Sequence, residues 1–205
     1  MDRTGAPDGK AVGDYTIEVP AVGDAAAVAR THLRAWHETY DGVGSGVDAG
    51  WIAANLGYLG TEEGTAGWAA EIAAARREPD RVFCRIVRLD ARVGSRPDCR
   101  AGSRQHDLAG AGSNAGVVGF LYGHRTDAVT LGPMYLLAEA QGTGVADRLM
   151  AEFLGWAGAA PIRLWVSAFN TRAVRFYARY GFVATGERER WRDRLLNLRM
   201  VRPKP

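Results

Sequence analysis

The chain has 205 residues, of which 47% are apolar and 24% charged, and a formal net charge of +3. This excludes a largely disordered chain and allows one core of ordinary size. No apolar run approaches the roughly 18 residues that span a bilayer, and no membrane partner is expected. Met1 to Asp14 carries no apolar block, so a secretory signal is not expected either. Of the 26 basic residues only Lys10 and Lys204 are lysine. The arginines are spread along the chain rather than clustered, which speaks against a nucleic-acid partner. Cys84 and Cys99 offer neither zinc spacing nor a disulfide framework. No metal site is expected, and a reduced, cytoplasmic setting fits best.

In chain order, residues 1–13 are small and charged without a period, and read as a flexible tail. The remainder, 14–203, reads as one domain. Tyr15 to Val19 alternates as a strand. Asp24 is suited to cap a helix over 25–40, whose apolar stripe is Val28, Ala35, Trp36 and Tyr40. A Gly-rich break follows over 41–50, then a short helix from Trp51 and a longer one over 61–78 ended by Pro79. Arg81 to Val93 alternates as a strand. Residues 94–114 are rich in Gly, Ser and Arg, and read as a mobile insertion between two hairpin strands. Val117 to Gly123 is the return strand. Val129 to Leu137 is the next, with Gly132-Pro133 marking a bulge or an open edge. A helix over 144–157, a strand over 162–167 and a helix over 171–180 follow. Strands at 182–184 and 195–201 close the chain. The class is α/β with a mixed sheet.

Two segments carry chemistry. Gln141-Gly142-Thr143-Gly144-Val145-Ala146 joins a strand to a helix. Glycines there let the backbone approach a ligand, and N–H groups converging at a helix start suit a phosphate. The spacing is neither a dinucleotide fingerprint nor a P-loop, and a tight turn would read the same way. Asn170 to Phe182 follows a strand. Asn170 can cap the helix or hold a ligand amide, while Phe176, Tyr177 and Tyr180 read equally as core aromatics.

Taken together, the two segments resemble the GNAT-type N-acetyltransferase superfamily. Gln141 to Ala146 is similar to its Q/R-x-x-G-x-G/A loop, and Asn170 to Phe182 to its N-x-x-A-x-x-F-Y-x-x-x-G-F segment. Leu131 to Leu137 looks like the strand leading into the loop. Trp36 to Gly42 is similar to the end of the first helix in one branch. The resemblance covers about residues 15–201. It implies a largely antiparallel, bulged sheet splayed in the middle and flanked by helices, with acetyl-CoA as co-substrate. Main-chain groups near Leu136 and Leu137 would hold the pantetheine arm as an added strand. The N–H groups of Gly142, Thr143, Gly144, Val145 and Ala146, with Gln141, would hold the pyrophosphate. Asn170 and Phe176 would contact the arm.

The implied reaction is direct attack of a primary amine on the thioester through a ternary complex. A backbone amide of the splayed strand would face the oxyanion, and Tyr177 would act as general acid to the leaving thiolate. Many relatives place a Glu on that strand as base, but Val129 to Gly132 carries none. Glu38, His37 and His124 are the candidates, beside a water chain. Two departures stand out: Ala138 replaces the usual Pro, and Asp147 sits just after the loop, where its side chain is expected to turn outward; Ala146 in place of Gly is within the pattern. Trp36, Tyr40, Trp51, Tyr58 and Trp191 could line the acceptor pocket or lie in the core. A small amine, an antibiotic amine, an amino acid and a peptide N-terminus are all open as acceptors, and a homodimer is possible. The alternative readings are an acyl-CoA-binding regulatory module of the same fold and, more remotely, a nucleotide-binding protein.

Overall fold

The computed structural model describes residues 14–42, 44–90 and 116–204. The expected tail over 1–13, the expected insertion over 94–114, and Cys99 lie outside these residues. The elements are β1 (Tyr15–Glu18), α1 (Ala25–Tyr40), α2 (Ala49–Leu56), α3 (Glu62–Arg77), β2 (Val82–Leu89), β3 (Val117–Arg125) and β4 (Val129–Leu136). They are followed by α4 (Val145–Ala157), β5 (Ile162–Ser167), α5 (Thr171–Arg179), β6 (Val183–Trp191) and β7 (Leu195–Arg202). One open sheet of seven strands runs in the order β1-β2-β3-β4-β5-β7-β6, and its only parallel pair is β4 with β5. This is the expected single α/β domain with a mixed, mostly antiparallel sheet.

Alternation along the central strands feeds two cores, one on each face. From β2, Phe83 and Val87 join Leu149, Met150 and Phe153 of α4. Cys84 and Ile86 join Val28, Trp36 and Ile72 of α1 and α3. Burial raises the pKa of the Cys84 thiol to about 12, so it stays protonated as a small core residue. On α1, the Thr31 hydroxyl donates to Val117 O at 2.8 Å and ties the helix to β3. Asp24 does not cap α1 as expected. It lies in a preceding single turn, where its carboxylate accepts from Ala21 N at 2.9 Å and from Arg88 of β2. The helix still starts at Ala25, because that turn leads directly into it.

The sheet opens between β4 and β5. They pair only at Val129↔Ile162 and Thr130↔Arg163. The β3–β4 register slips between Leu121 and Gly123, so Tyr122 faces both Gly132 and Pro133. Both halves of the expectation at Gly132-Pro133 are met: the bulge bends β4 away from β5 and leaves an open edge. Strand β6 is longer than the sequence reading allowed. Its alternating charges from Glu187 to Arg190 are exposed, a pattern that suits the edge strand of a solvated hairpin. The β6–β7 turn places Arg192 and Asp193 at φ 47° and 57°, as the twist of a tight hairpin demands.

Candidate active site

The opening leads into a cleft of about 1460 Å³, lined by β4, β5, α1, α5 and the loop before α4. At one end, Gly142 and Gly144 have φ of 78° and 87°, a conformation that glycine adopts without strain. Among the described residues, the N–H groups of Gly142, Thr143, Gly144 and Ala146 have no protein partner, and α4 begins at Val145. Val145 N is held only by a long bond of 3.5 Å to Thr143 Oγ1, whose hydroxyl donates to Ala140 O. A Cβ on Gly142 would meet nothing within 4 Å, so the space before these amides is open. Arg172, Arg175 and Arg179 line the same end, and Arg175 makes no ion pair among the described residues. Donor amides at a helix start beside guanidinium groups form a site for an anion of diphosphate size.

Asp147 lies close to these amides, but its carboxylate turns to α5. It accepts from Arg179 at 3.1 Å and from the Tyr180 hydroxyl at 2.5 Å. The Tyr180 pKa is raised to about 12 by burial and by that carboxylate, so Tyr180 remains the donor. The expected outward turn of Asp147 thus becomes a clamp between α4 and α5.

On the edge of β4, Leu137 N donates to Val118 O at 2.8 Å, which makes that pair hydrogen-bonded. Antiparallel alternation then points the backbone groups of Met134 and Leu136 into the opening. Leu137 is unlike Leu136 in this respect, because Leu137 O also accepts from Ala140 N. Gln141 spans the mouth of the gap, donating to Leu136 O at 2.9 Å and accepting from Arg172.

On the facing wall, Asn170 Oδ1 accepts from Ala173 N at 3.0 Å and caps α5. Tyr40 and Tyr135 line the cleft beside it, and burial raises the pKa of both hydroxyls, so each keeps its proton. Tyr177 is 7% exposed and lines the cleft, its ring packed on Phe176 and Phe182 at 5.6 and 5.7 Å. Burial and the nearby Tyr40 hold the Tyr177 pKa above the ordinary tyrosine range, so its hydroxyl keeps its proton. Both uses foreseen for Asn170 are open to it, since its oxygen caps α5 and the residue lines the cleft.

The candidate bases are placed very differently. Glu38 lines the cleft, but both its oxygens are engaged, one by Arg34 at 2.8 Å and one by Ala138 N at 2.7 Å. That second bond fixes the turn where relatives carry proline. His37 pairs with Asp41 at 3.7 Å on the outer side of α1. His124 is not brought to Tyr177; it lines a separate small cavity with Thr130, Arg163 and Trp165. Sequence reasoning missed His32. It lines the cleft, edge-on to Trp68 and Phe120, and Trp36 Nε1 donates to its Nε2 at 3.3 Å. Burial lowers its pKa to about 4. Tyr135, Ser167, Arg172 and Arg175 were missed too. Only the arginines, three positions apart on a helix facing the loop, had a readable signal.

Residues 105–184 match the family model described as acetyltransferase (GNAT) domain. No curated protein matches the sequence. Among solved structures, PaiA N-acetyltransferase from Thermoplasma acidophilum in complex with coenzyme A is 14% identical, with a TM-score of 0.62 over 93% of this chain and 99% of that one. Ribosomal-protein-S5-alanine acetyltransferase from Vibrio fischeri is 14% identical, with a TM-score of 0.59 over 93% of each chain. The yncA protein of Salmonella typhimurium, solved with its cofactor acetyl-CoA, is 15% identical, with a TM-score of 0.57 over 92% of each chain. At these identities the likeness is one of fold. The family-model match spans the loop, β5 and α5, and the splayed sheet is shared along the chain with these acetyltransferase structures, so the chain is similar to GNAT-type acetyltransferases in fold and in this segment.

Proposed function

We propose that this protein is an N-acetyltransferase that moves an acetyl group from acetyl-CoA to a primary amine by direct attack in a ternary complex. The observation that carries this reading is the convergence, in one cleft, of three features. These are unpartnered amides at the start of α4, the open edge of β4, and the buried hydroxyl of Tyr177. The residues fit the co-substrate. Gly142 to Ala146 with Arg172 and Arg175 suit its diphosphate, and the backbone groups of Met134 and Leu136 suit the amides of its pantetheine arm. Bound there, acetyl-CoA supplies an activated acyl group.

The chain's own residues do the rest. A β4 edge amide donates to the acyl oxygen as charge gathers on it. Tyr177 donates to the sulfur as the C–S bond breaks and the C–N bond forms. A tyrosine held above the usual range binds its proton more tightly than a thiolate of pKa about 8.5 would. Its contribution is therefore a strong hydrogen bond to the leaving sulfur; as the C–S bond breaks its proton passes to the thiolate, and the acidic proton released by the newly acylated nitrogen restores the tyrosine. No carboxylate in the cleft is unengaged among the described residues, and His32 is too weak a base for an alkyl ammonium. The amine must therefore arrive neutral, which its removal from water favours.

The test is thermal unfolding with acetyl-CoA, CoA and ATP, on the wild type and on Ala146→Glu. Glu near the start of α4 suits the helix but repels a diphosphate. A ligand at 100 times its Kd adds about 2.7 kcal/mol. Stabilisation by both CoA species, lost in Ala146→Glu at unchanged unliganded Tm, is expected. No shift of the wild type at saturating acetyl-CoA defeats the reading.

A further inference from the structure

We infer that the acceptor half of the cleft is shaped for a primary amine carried on an uncharged aromatic body. This body would stack on Trp36, Trp165 and Trp191 and form one hydrogen bond to Ser167 Oγ. The inference rests on the acetyl-transfer reading above and names its acceptor class.

The charges of the cleft are divided by place. Those that line it are Glu38, Asp147, Arg172, Arg175 and Arg179. All sit toward the loop and α5, or at Ala138 beside it, and both acids are held by arginines. Of the lining side chains that come from α1, α2, the turn after it and the β6–β7 hairpin, only Glu38 carries a charge among the described residues, and both its oxygens are engaged. Its floor is aromatic: Trp36 lies 4.5 Å from Tyr40 and 5.2 Å from Trp191 between ring centroids. Tyr58 and Trp165 line the same half and are 42% and 38% exposed. Large aromatic faces open to solvent inside a concave site belong to a ligand pocket rather than to scattered surface.

A second, independent feature is Ser167. It ends β5, is 3% exposed and lines the cleft, and its Oγ has no hydrogen-bond partner among the described residues. Its neighbour across the sheet, Asn197, donates instead to Glu189 at 3.3 Å and makes no bond to it among the described residues. A buried hydroxyl left unpaired is unfavourable, and a ligand's polar atom would satisfy it.

The same features disfavour acceptors with several ammonium groups. Each such group needs a carboxylate or water once desolvated, and the one lining carboxylate of this half among the described residues, Glu38, is already held by Arg34 and Ala138 N. Arg192, its guanidinium 5.0 Å from the Trp191 ring, adds a positive charge on that side. A single amine is compatible, since aromatic faces tolerate one cation before it loses its proton.

The experiment measures acetyl-CoA-dependent thiol release with phenethylamine and tryptamine against spermidine, kanamycin and a lysine-bearing peptide. Acetyl-CoA binding is followed separately by calorimetry. The aryl amines are expected to show kcat/KM at least about 100-fold above the others. Ser167→Ala and Trp191→Ala should each raise KM for tryptamine about tenfold with acetyl-CoA affinity unchanged, tenfold corresponding to about 1.4 kcal/mol. Trp191→Phe should recover most of the loss, and the near-isosteric Ser167→Cys controls for folding. Faster turnover of spermidine, kanamycin or the peptide overturns the inference, as does an unchanged KM in both alanine variants. Acetyl-CoA binding without acetylation of either aryl amine also overturns it and leaves the acetyl-transfer reading standing. Absence of acetyl-CoA binding removes both.

Discussion

In the proposed reaction one residue, Tyr177, serves packing and chemistry together. Its ring belongs to the core with Leu164, Val166 and Phe182, and that burial keeps its hydroxyl protonated. Tyr177→Phe preserves the ring, so Tm should hold while kcat falls about 100-fold, the scale of one lost donor to developing charge. Single-turnover rates at saturating acetyl-CoA, with cofactor affinity measured alongside, check this. His32 makes a prediction about stability instead. Its pKa falls from 6.5 to about 4 on folding because its charged form is desolvated. The unfolded chain therefore binds the extra proton first, and stability is full above pH 6.5 and declines as the pH drops toward about 4. At about 1.4 kcal/mol per pKa unit, the limit of this loss is about 3 kcal/mol. His32→Gln, which can still accept from Trp36, should flatten that acid limb in denaturant titrations across the range. The tyrosine was legible from its place in the Asn170–Phe182 segment. The histidine was not, because a lone His on an apolar helix face has no spacing that sets it apart from a core residue.

Elements were read well where a period or a cap governs them, and less well where tertiary pairing decides. Helix α4 and strand β5 fall where the sequence places them, since their apolar positions face one core throughout. Strand β6 was read as three residues because nothing buries its alternating charges; its length comes from pairing with β7. The loop before α4 was readable as an anion cradle from its glycines. That Leu136 rather than Leu137 faces the gap was not, because the register of β4 depends on a bulge opposite Tyr122. Close approach between elements makes another prediction. At the start of α3, a Cβ on Gly64 would lie 2.5 Å from Leu59 Cα and from Tyr58 O, both backbone atoms that cannot swing aside. Gly64→Ala should destabilise by about 1–3 kcal/mol despite the better helix propensity of alanine. Urea unfolding midpoints compared with Gly67→Ala, which meets nothing within 4 Å, would measure this.

At the scale of the whole molecule, the two cores hold opposite walls of the cleft. Tyr177 and Val166 belong to the core with α4, and Trp36, Tyr40 and Leu195 to the core with α1 to α3. A ligand bridging the walls ties the two together, so its effect should be read along β4 as well as in Tm. Hydrogen exchange at Met134 and Leu136, whose amides face the gap, is expected to slow on addition of CoA. Tyr135 and Leu137, already bonded to β3, should change little. Equal protection of all four would mean general stiffening rather than edge pairing. The fold class and strand order were legible because each strand keeps a simple face. Of the aromatics read as pocket or core, Trp36, Tyr40, Tyr58 and Trp191 line the cleft; Trp165 was not read, because it comes from β5 and only the folded chain brings that strand to the others.

The short parallel pairing of β4 with β5 bears on solubility. A sheet interrupted in its middle exposes main-chain donors and acceptors, and such edges ordinarily recruit another polypeptide. Here the exposed stretch of β4 is brief, since the bulge at Gly132-Pro133 bounds it on one side and the turn at Ala138 on the other. Gln141 already occupies one of its carbonyls. Ring-lined walls crowd the space where a second chain's side chains would project. The gap thus admits a slender, unbranched molecule and turns away a peptide strand, so an interior edge can stay open without seeding aggregation.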